Sequence, residues 1–149
     1  MVEYKVETMT ELQDELNPLF EAHWEEVALY KELPLKPNWE LYGALEDKDA
    51  LVFITARNDG KLVGYTTWLL CPSLHYADYI FASNDLIFLD YDHRDAKHSK
   101  ELLEFSETIL KQNGAHLTTL HMKTYAAFES LAVSCEYDKQ EYLYTKLLG

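Results

Sequence analysis

Apolar and polar residues first alternate in this chain at Val2, Tyr4 and Val6, which predicts a short opening strand. Thr8-Met-Thr-Glu11 then has the form of a capping box, followed by Leu12 and Leu16 at helical spacing. Asn17-Pro18 predicts the end of that helix and the start of a second, because asparagine caps well and proline is tolerated at a first helical position. Phe20, His23, Val27 and Tyr30 fall on one face of the second helix, which Leu33-Pro-Leu-Lys-Pro37 should stop. Residues 38–49 read as a polar, partly helical or looping connection.

Residues 51–57 and 62–71 are two β-rich runs around Asn58-Asp59-Gly60-Lys61, a strong hairpin signal. The aromatic segment 72–83 predicts a crossing loop or irregular strand, and Asp85-Leu-Ile-Phe-Leu89 the next strand. Leu102, Leu103, Phe105, Ser106, Ile109 and Leu110 mark the apolar face of a helix that begins near Arg94 and ends at Asn113-Gly114. A strand over 117–122, a short helix over 125–133 and two closing strands near 135–137 and 141–147 complete the order β-α-α-β-β-β-α-β-α-β-β. The expected fold is therefore α/β (α+β), with about seven strands flanked by about four helices. At 149 residues with 48% hydrophobic content, all of it fits one domain.

Charge changes the picture next. Asp and Glu number 26 against 13 Lys and Arg, for a net charge of −13, which argues against direct, sequence-blind binding to nucleic acid and against an anionic membrane surface. It suits a cationic substrate or a basic partner protein. Cys71 and Cys135 have no metal-like spacing and read as core residues, as do Trp24, Trp39 and Trp68. His116 and His121 should lie on opposite faces of a strand, so no metal site is expected. With no signal-like start and no membrane-length apolar run, a reduced, cytoplasmic protein is expected. The oligomeric state stays open, a dimer among the options.

Against this acidic background, Tyr91-Asp-His-Arg-Asp-Ala-Lys-His-Ser-Lys100 places Arg94, Lys97, His98 and Lys100 at the start of a helix. Cations in a first turn oppose the helix dipole, whereas a bound polyanion there would be favoured. The same side chains could instead point to water and balance Asp90, Asp92 and Asp95.

The order of elements, with Phe88-Leu-Asp-Tyr-Asp-His-Arg94, Ala115-His-Leu-Thr-Thr-Leu-His121 and Glu141-Tyr-Leu-Tyr-Thr-Lys-Leu147, resembles the GNAT superfamily of acetyl-CoA-dependent N-acetyltransferases over nearly the whole chain. HWEE (23–26), DGKLVGY (59–65) and LHYAD (74–78) are similar to segments of small GNAT proteins of tailed bacteriophages, which would place the protein in a host cytoplasm. The family's loop Q/R-x-x-G-x-G/A stands here as Arg94-Asp-Ala-Lys97-His-Ser99, without its glycines.

The resemblance implies acetyl transfer from acetyl-CoA, as co-substrate, to an amine by direct attack in a ternary complex. The backbone of Phe88 and Leu89 would pair with the pantetheine arm. Arg94, Asp95, Ala96, Lys97, His98, Ser99 and Lys100 would meet the pyrophosphate. Candidates for the general base are Asp85, Glu25, Glu26 and His75. For the acid, Tyr125 ranks above Tyr142 and Tyr144, with Ser130 at the family's usual tyrosine position and solvent as a further source of the proton. The alternative is a non-catalytic, acidic GNAT-fold protein that binds and modulates a host protein.

Overall fold

A computed structural model describes all residues, 1–149. Five strands form one sheet in the order β1 (Val2–Val6), β2 (Leu51–Asn58), β3 (Lys61–Pro72), β4 (Ile80–Leu89) and β5 (Ala115–Thr119). The first three pairings are antiparallel and β4–β5 is parallel. Helix α1 spans Gln13–Val27, α2 Trp39–Asp47, α3 Ala96–Gln112 and α4 Glu129–Ser134, with 3₁₀ turns at Met9–Leu12, Tyr91–His93 and Thr124–Ala126.

The expected hairpin forms through a two-residue turn in which Asp59 (φ 50°) and Gly60 (φ 87°) both take positive φ, matching the twist of the flanking strands. Alternation along the strands divides the core between the two faces of the sheet. On one face Val52, Ile54, Trp68, Ala82 and Leu89 pack under Leu102, Leu103 and Leu110 of α3. On the other, Phe53, Tyr65 and Phe88 pack under Met9, Leu16 and Phe20, with Trp39 and Tyr42 of α2 at the margin. Each of the three α3 leucines is fully buried, a contribution of roughly 1.5–3 kcal/mol apiece. Helix α3 ends where expected, with Asn113 as its C-cap and Gly114 at φ 89°.

Several expectations are corrected. Pro18 does not divide two helices. It lies exposed inside α1, where the Asp14 carbonyl that loses its helical donor is within reach of water. Thr8 caps without a side-chain hydrogen bond, and the turn it starts is 3₁₀. The connection at 38–49 holds a full helix, capped by the Asn38 side chain, which accepts from the Leu41 N–H at 3.0 Å. The fourth strand begins at Ile80, five residues earlier than expected.

The sheet has five strands, because 135–137 and 141–147 form no ladder. The alternating Tyr142, Leu143 and Tyr144 are instead exposed. Cys71 is exposed rather than buried, and Cys135 is partly buried beside the α3 core.

Candidate active site

The site begins with one extra residue in β4. Thr67 pairs with Leu86 and Trp68 with Asn84, so Asp85 has no partner on β3 and forms a bulge. The buried Asn84 side chain staples it, donating to the Thr67 carbonyl (3.2 Å), the Leu86 carbonyl (2.9 Å) and the Thr66 hydroxyl (3.1 Å). Pairing with β5 stops at Ser83–Thr119, two residues before Asp85. From Asn84 to Leu89 the β5-side edge of β4 is unpaired.

The Asp90 N–H donates to the Val63 carbonyl at 2.8 Å, which turns the hydrogen-bonding groups of Asp90, Phe88 and Leu86 toward β3 and those of Ile87 and Leu89 toward the open edge. Of the expected pantetheine-pairing residues, Leu89 therefore faces the opening and the Phe88 backbone belongs to the β3 ladder. Gly64 keeps that ladder close: a Cβ there would lie 2.6 Å from the Phe88 carbonyl oxygen and 2.5 Å from Leu89 Cδ2.

Asp85 is solvent-exposed by area, yet protein crowds its carboxyl enough that desolvation raises its pKa above the ordinary value, against the opposing pull of the Thr67 hydroxyl and the His121 ring. Tyr42 of α2 is close enough for the Asp85 charge to add to the burial that raises the phenol's pKa. The His121 ring lies 3.0 Å from the Thr119 hydroxyl and 3.3 Å from that of Ser83, at the last rung of the β4–β5 ladder. Tyr42, Thr67 and His121 are not marked as site residues by the sequence, since only the bulge and the sheet order bring them to Asp85.

At the other end of β4, the turn into α3 is built without glycine. No residue from Arg94 to Lys100 has positive φ, so Lys97 and Ser99 occupy an ordinary helical turn. Asp95 is the N-cap: its Oδ1 accepts from the His98 N–H at 2.8 Å and its Oδ2 meets the His98 ring at 2.5 Å. These contacts, the backbone N–H first, hold the Asp95 carboxyl below its ordinary pKa.

Every cation of the turn has a carboxylate neighbour. Lys97 lies 4.0 Å from Glu101 and Lys100 lies 3.6 Å from Glu104. Arg94 donates twice to the Leu89 carbonyl (3.0 and 2.7 Å) and once to Glu26 (3.0 Å).

Other candidates fall in different places. Glu25 points outward near Lys31, 4.0 Å away, while Glu26 is the Arg94 partner. His75 sits in the exposed loop between β3 and β4, beyond the Pro72–Ile80 pair and thus more than about 17 Å along the strand from Asp85. The structure does not bring these two bases together. The Tyr125 hydroxyl donates to the Val27 carbonyl at 2.5 Å, tying the segment after β5 to the end of α1.

Helix α1 is thereby joined to both arms of the opening, through Glu26–Arg94 and Val27–Tyr125. Tyr142 and Tyr144 are exposed on the C-terminal segment. No group of three or more His, Cys, Asp or Glu side chains is arranged to hold a metal ion, and no helix is long and apolar enough to cross a membrane.

One residue at the opening carries no mark in the sequence beyond its place on an apolar helix face. His23 Nδ1 lies 3.0 Å from the buried Tyr65 hydroxyl and its ring stacks on Phe88, centroids 5.1 Å apart. Burial pushes its pKa down to about 4, helped by the charges of Arg94 and Lys123 and opposed by Glu26.

A strand edge left unpaired beside a bulge, followed by a helix whose N-terminus faces the same opening, defines an acetyltransferase-type fold. The acetyltransferase (GNAT) family profile matches residues 9–137, and the chain belongs to that family, whose members use acetyl-CoA.

Solved structures agree at the level of fold. An aminoglycoside acetyltransferase, meta-AAC0020, from an uncultured soil metagenomic sample, in complex with sisomicin, is 16% identical over all of this chain and 96% of its own, with a TM-score of 0.75. A ribosomal-protein-alanine N-acetyltransferase from Brucella melitensis biovar Abortus 2308 is 18% identical, with both chains fully covered and a TM-score of 0.73. A predicted acetyltransferase from Clostridium acetobutylicum solved with acetyl-CoA is 11% identical over 99% of this chain and 97% of its own, TM-score 0.73. No curated protein sequence matches the chain significantly.

Proposed function

We propose that this protein is an acetyl-CoA-dependent N-acetyltransferase that acetylates a cationic amine, namely a protein lysine, a protein N-terminus or a small polyamine, within a ternary complex. The observation that carries the reading is the unpaired edge of β4 between the Asp85 bulge and the start of α3. The free backbone groups of Ile87 and the N–H of Leu89, whose carbonyl already accepts from Arg94, fit an amide-bearing pantetheine arm, and the α3 N-terminus fits a pyrophosphate. Lys97 and Ser99 suit the turn as built, since it asks for no positive φ. Arg94 and Lys97 would supply positive charge there, once turned from their carboxylates.

When bound, the thioester supplies the activated acetyl group. Asp85, its pKa raised toward the working range, removes a proton from the acceptor ammonium. The neutral nitrogen then forms the C–N bond as the C–S bond breaks, the nitrogen gives up its second proton to water, and the departing sulfur takes a proton from Tyr125 or from water. Glu25 and His75 stand apart from Asp85 and are secondary candidates for the base.

Calorimetry with acetyl-CoA, paired with acetylation assays on spermidine and a lysine peptide, tests this. Micromolar binding and turnover are expected, with Asp85→Asn lowering kcat by about a hundredfold at unchanged acetyl-CoA affinity. Absence of binding at millimolar acetyl-CoA would sink the proposal.

One observation favours the second reading, a non-catalytic acidic protein that binds a basic partner. The Asp95 carboxylate already occupies the α3 N-terminus, and Arg94, Lys97, His98 and Lys100 are all matched within the chain. A phage origin and a host-cytoplasm location rest on the three sequence segments alone.

A further inference from the structure

Asn84 is buried, and its side-chain carbonyl oxygen has no hydrogen-bond partner. A buried carbonyl left unpaired is costly, and a leucine of similar size at this position would avoid the cost. The reason for an amide here lies with its nitrogen.

That nitrogen reaches acceptors on both strands, the Thr66 hydroxyl and Thr67 carbonyl of β3 and the Leu86 carbonyl of β4. The Thr66 hydroxyl in turn donates to the same Leu86 carbonyl at 2.8 Å. A closed circuit of hydrogen bonds thus runs from Asn84 through Thr66 to Leu86, and Asn84 and Leu86 are the two chain neighbours of Asp85. Turning the amide over would set its oxygen against two carbonyls, so its orientation is fixed.

The ladder by itself does not choose Asp85 as its extra residue. Were the extra residue Asn84, Asp85 would pair with Trp68 and lie against the core under α3; were it Leu86, Asp85 would pair with Thr67 and take the place of Leu86 beside the Phe53 and Tyr65 core. Both shifts withdraw the carboxylate from the opening. Either one also takes an end of the circuit, Asn84 or Leu86, out of its present rung.

We infer that Asn84 is a positioning residue for acetyl transfer, holding Asp85 out of the ladder and its carboxylate in the opening, with the Thr66 hydroxyl as the second anchor of that hold. This role rests on Asp85 acting as the base of acetyl transfer. Asn84 and Thr66 act through Asp85 and take no proton themselves.

The test combines steady-state acetylation of spermidine, calorimetry with acetyl-CoA, and a carbon NMR titration of the Asp85 carboxyl, assigned by its loss in Asp85→Asn. Asn84→Leu keeps the side-chain size and removes the circuit. It should lower kcat about tenfold with acetyl-CoA affinity within about twofold of wild type, since a small misplacement of a reacting group is enough for such a loss. It should also displace the Asp85 titration midpoint. The double variant Asn84→Leu/Asp85→Asn should be no slower than Asp85→Asn alone, because the two changes remove the same function. Thr66→Val should reproduce part of the loss, and Thr66→Ser, which keeps the hydroxyl, should recover it.

Wild-type kcat in Asn84→Leu, or an unmoved Asp85 midpoint, overturns the assignment. A loss that multiplies in full onto that of Asp85→Asn also overturns it, since Asn84 would then act on something other than Asp85. Should Asn84→Leu fail to fold, the Thr66 pair decides, and equal rates for Thr66→Val and Thr66→Ser overturn the hold. If the wild type acetylates no amine while Asn84→Leu still displaces the midpoint, the hold on Asp85 stands and the acetyl-transfer reading falls.

Discussion

His23 offers the sharpest quantitative test of how the opening is built. Its ring is wedged between the Phe88 face and the buried Tyr65 hydroxyl, and its pKa falls from an ordinary 6.5 to about 4. The fold therefore excludes the charged imidazolium. Between those two values the unfolded chain binds a proton that the folded chain refuses, so stability rises with pH across the window and is lost as pH falls from about 6.5 toward 4.

At pH 5 the two pKa values together imply a loss of about 2 kcal/mol relative to pH 8, approaching roughly 3 kcal/mol below pH 4. Urea unfolding at pH 8, 6.5 and 5 measures it, with His23→Gln as the control that keeps a polar partner for Tyr65 and cannot titrate. The difference in unfolding free energy between the two proteins cancels the carboxylates, including Glu7 and Glu15, whose lowered pKa values cost stability in acid, and Asp85, whose raised value acts in the opposite sense. The wild type should lose about 2 kcal/mol more than His23→Gln between pH 8 and pH 5. Parallel losses would refute the claim that the ring is held neutral by burial.

Arg57→Ala should destabilise the fold by about 2–3 kcal/mol in the same assay, because the arginine, 11% exposed, pairs with Glu7 at 2.8 Å and Glu15 at 2.9 Å, and Glu7 would be left partly buried and unpaired. Gly64→Ala should cost about 1–3 kcal/mol in thermal unfolding and weaken acetyl-CoA binding in calorimetry, since its Cβ would push on Phe88 and Leu89 at the free edge. Asp95→Asn keeps an N-cap but removes the charge from the α3 N-terminus. It should tighten acetyl-CoA binding several-fold, an effect on the order of 1 kcal/mol, whereas Asp95→Ala should also lower stability by about 1 kcal/mol.

Most of the fold was legible where periodicity and turn chemistry agree, as in the 51–72 hairpin and the helix ending at Asn113-Gly114. The helix through Pro18 was not, because one lost hydrogen bond at an exposed position is outweighed by the burial of Leu16 and Phe20 on either side. Residues 141–147 alternate like a strand, but alternation makes a strand only where a neighbouring edge accepts it, and no ladder forms there.

In the site, Asp85 and the Arg94–Lys100 turn stand out by residue type. The role of Asp95 as cap, the reach of Glu26 to Arg94, and the pairing of His23 with Tyr65 depend on how α1 lies against β3 and β4. No local pattern carries that information.

The Asp85 bulge acts on β4 as a change of frame. Ala82 and Leu89, an odd number of residues apart, face the same core only because one residue between them goes uncounted. Removing Asp85 would leave every other β4 side chain on its present face, while removing another single residue between Ala82 and Leu89 would draw Asp85 itself into the ladder. Deletion of this one residue would thus straighten the ladder, preserve the core and take away the carboxylate, separating the ability to fold from the ability to react.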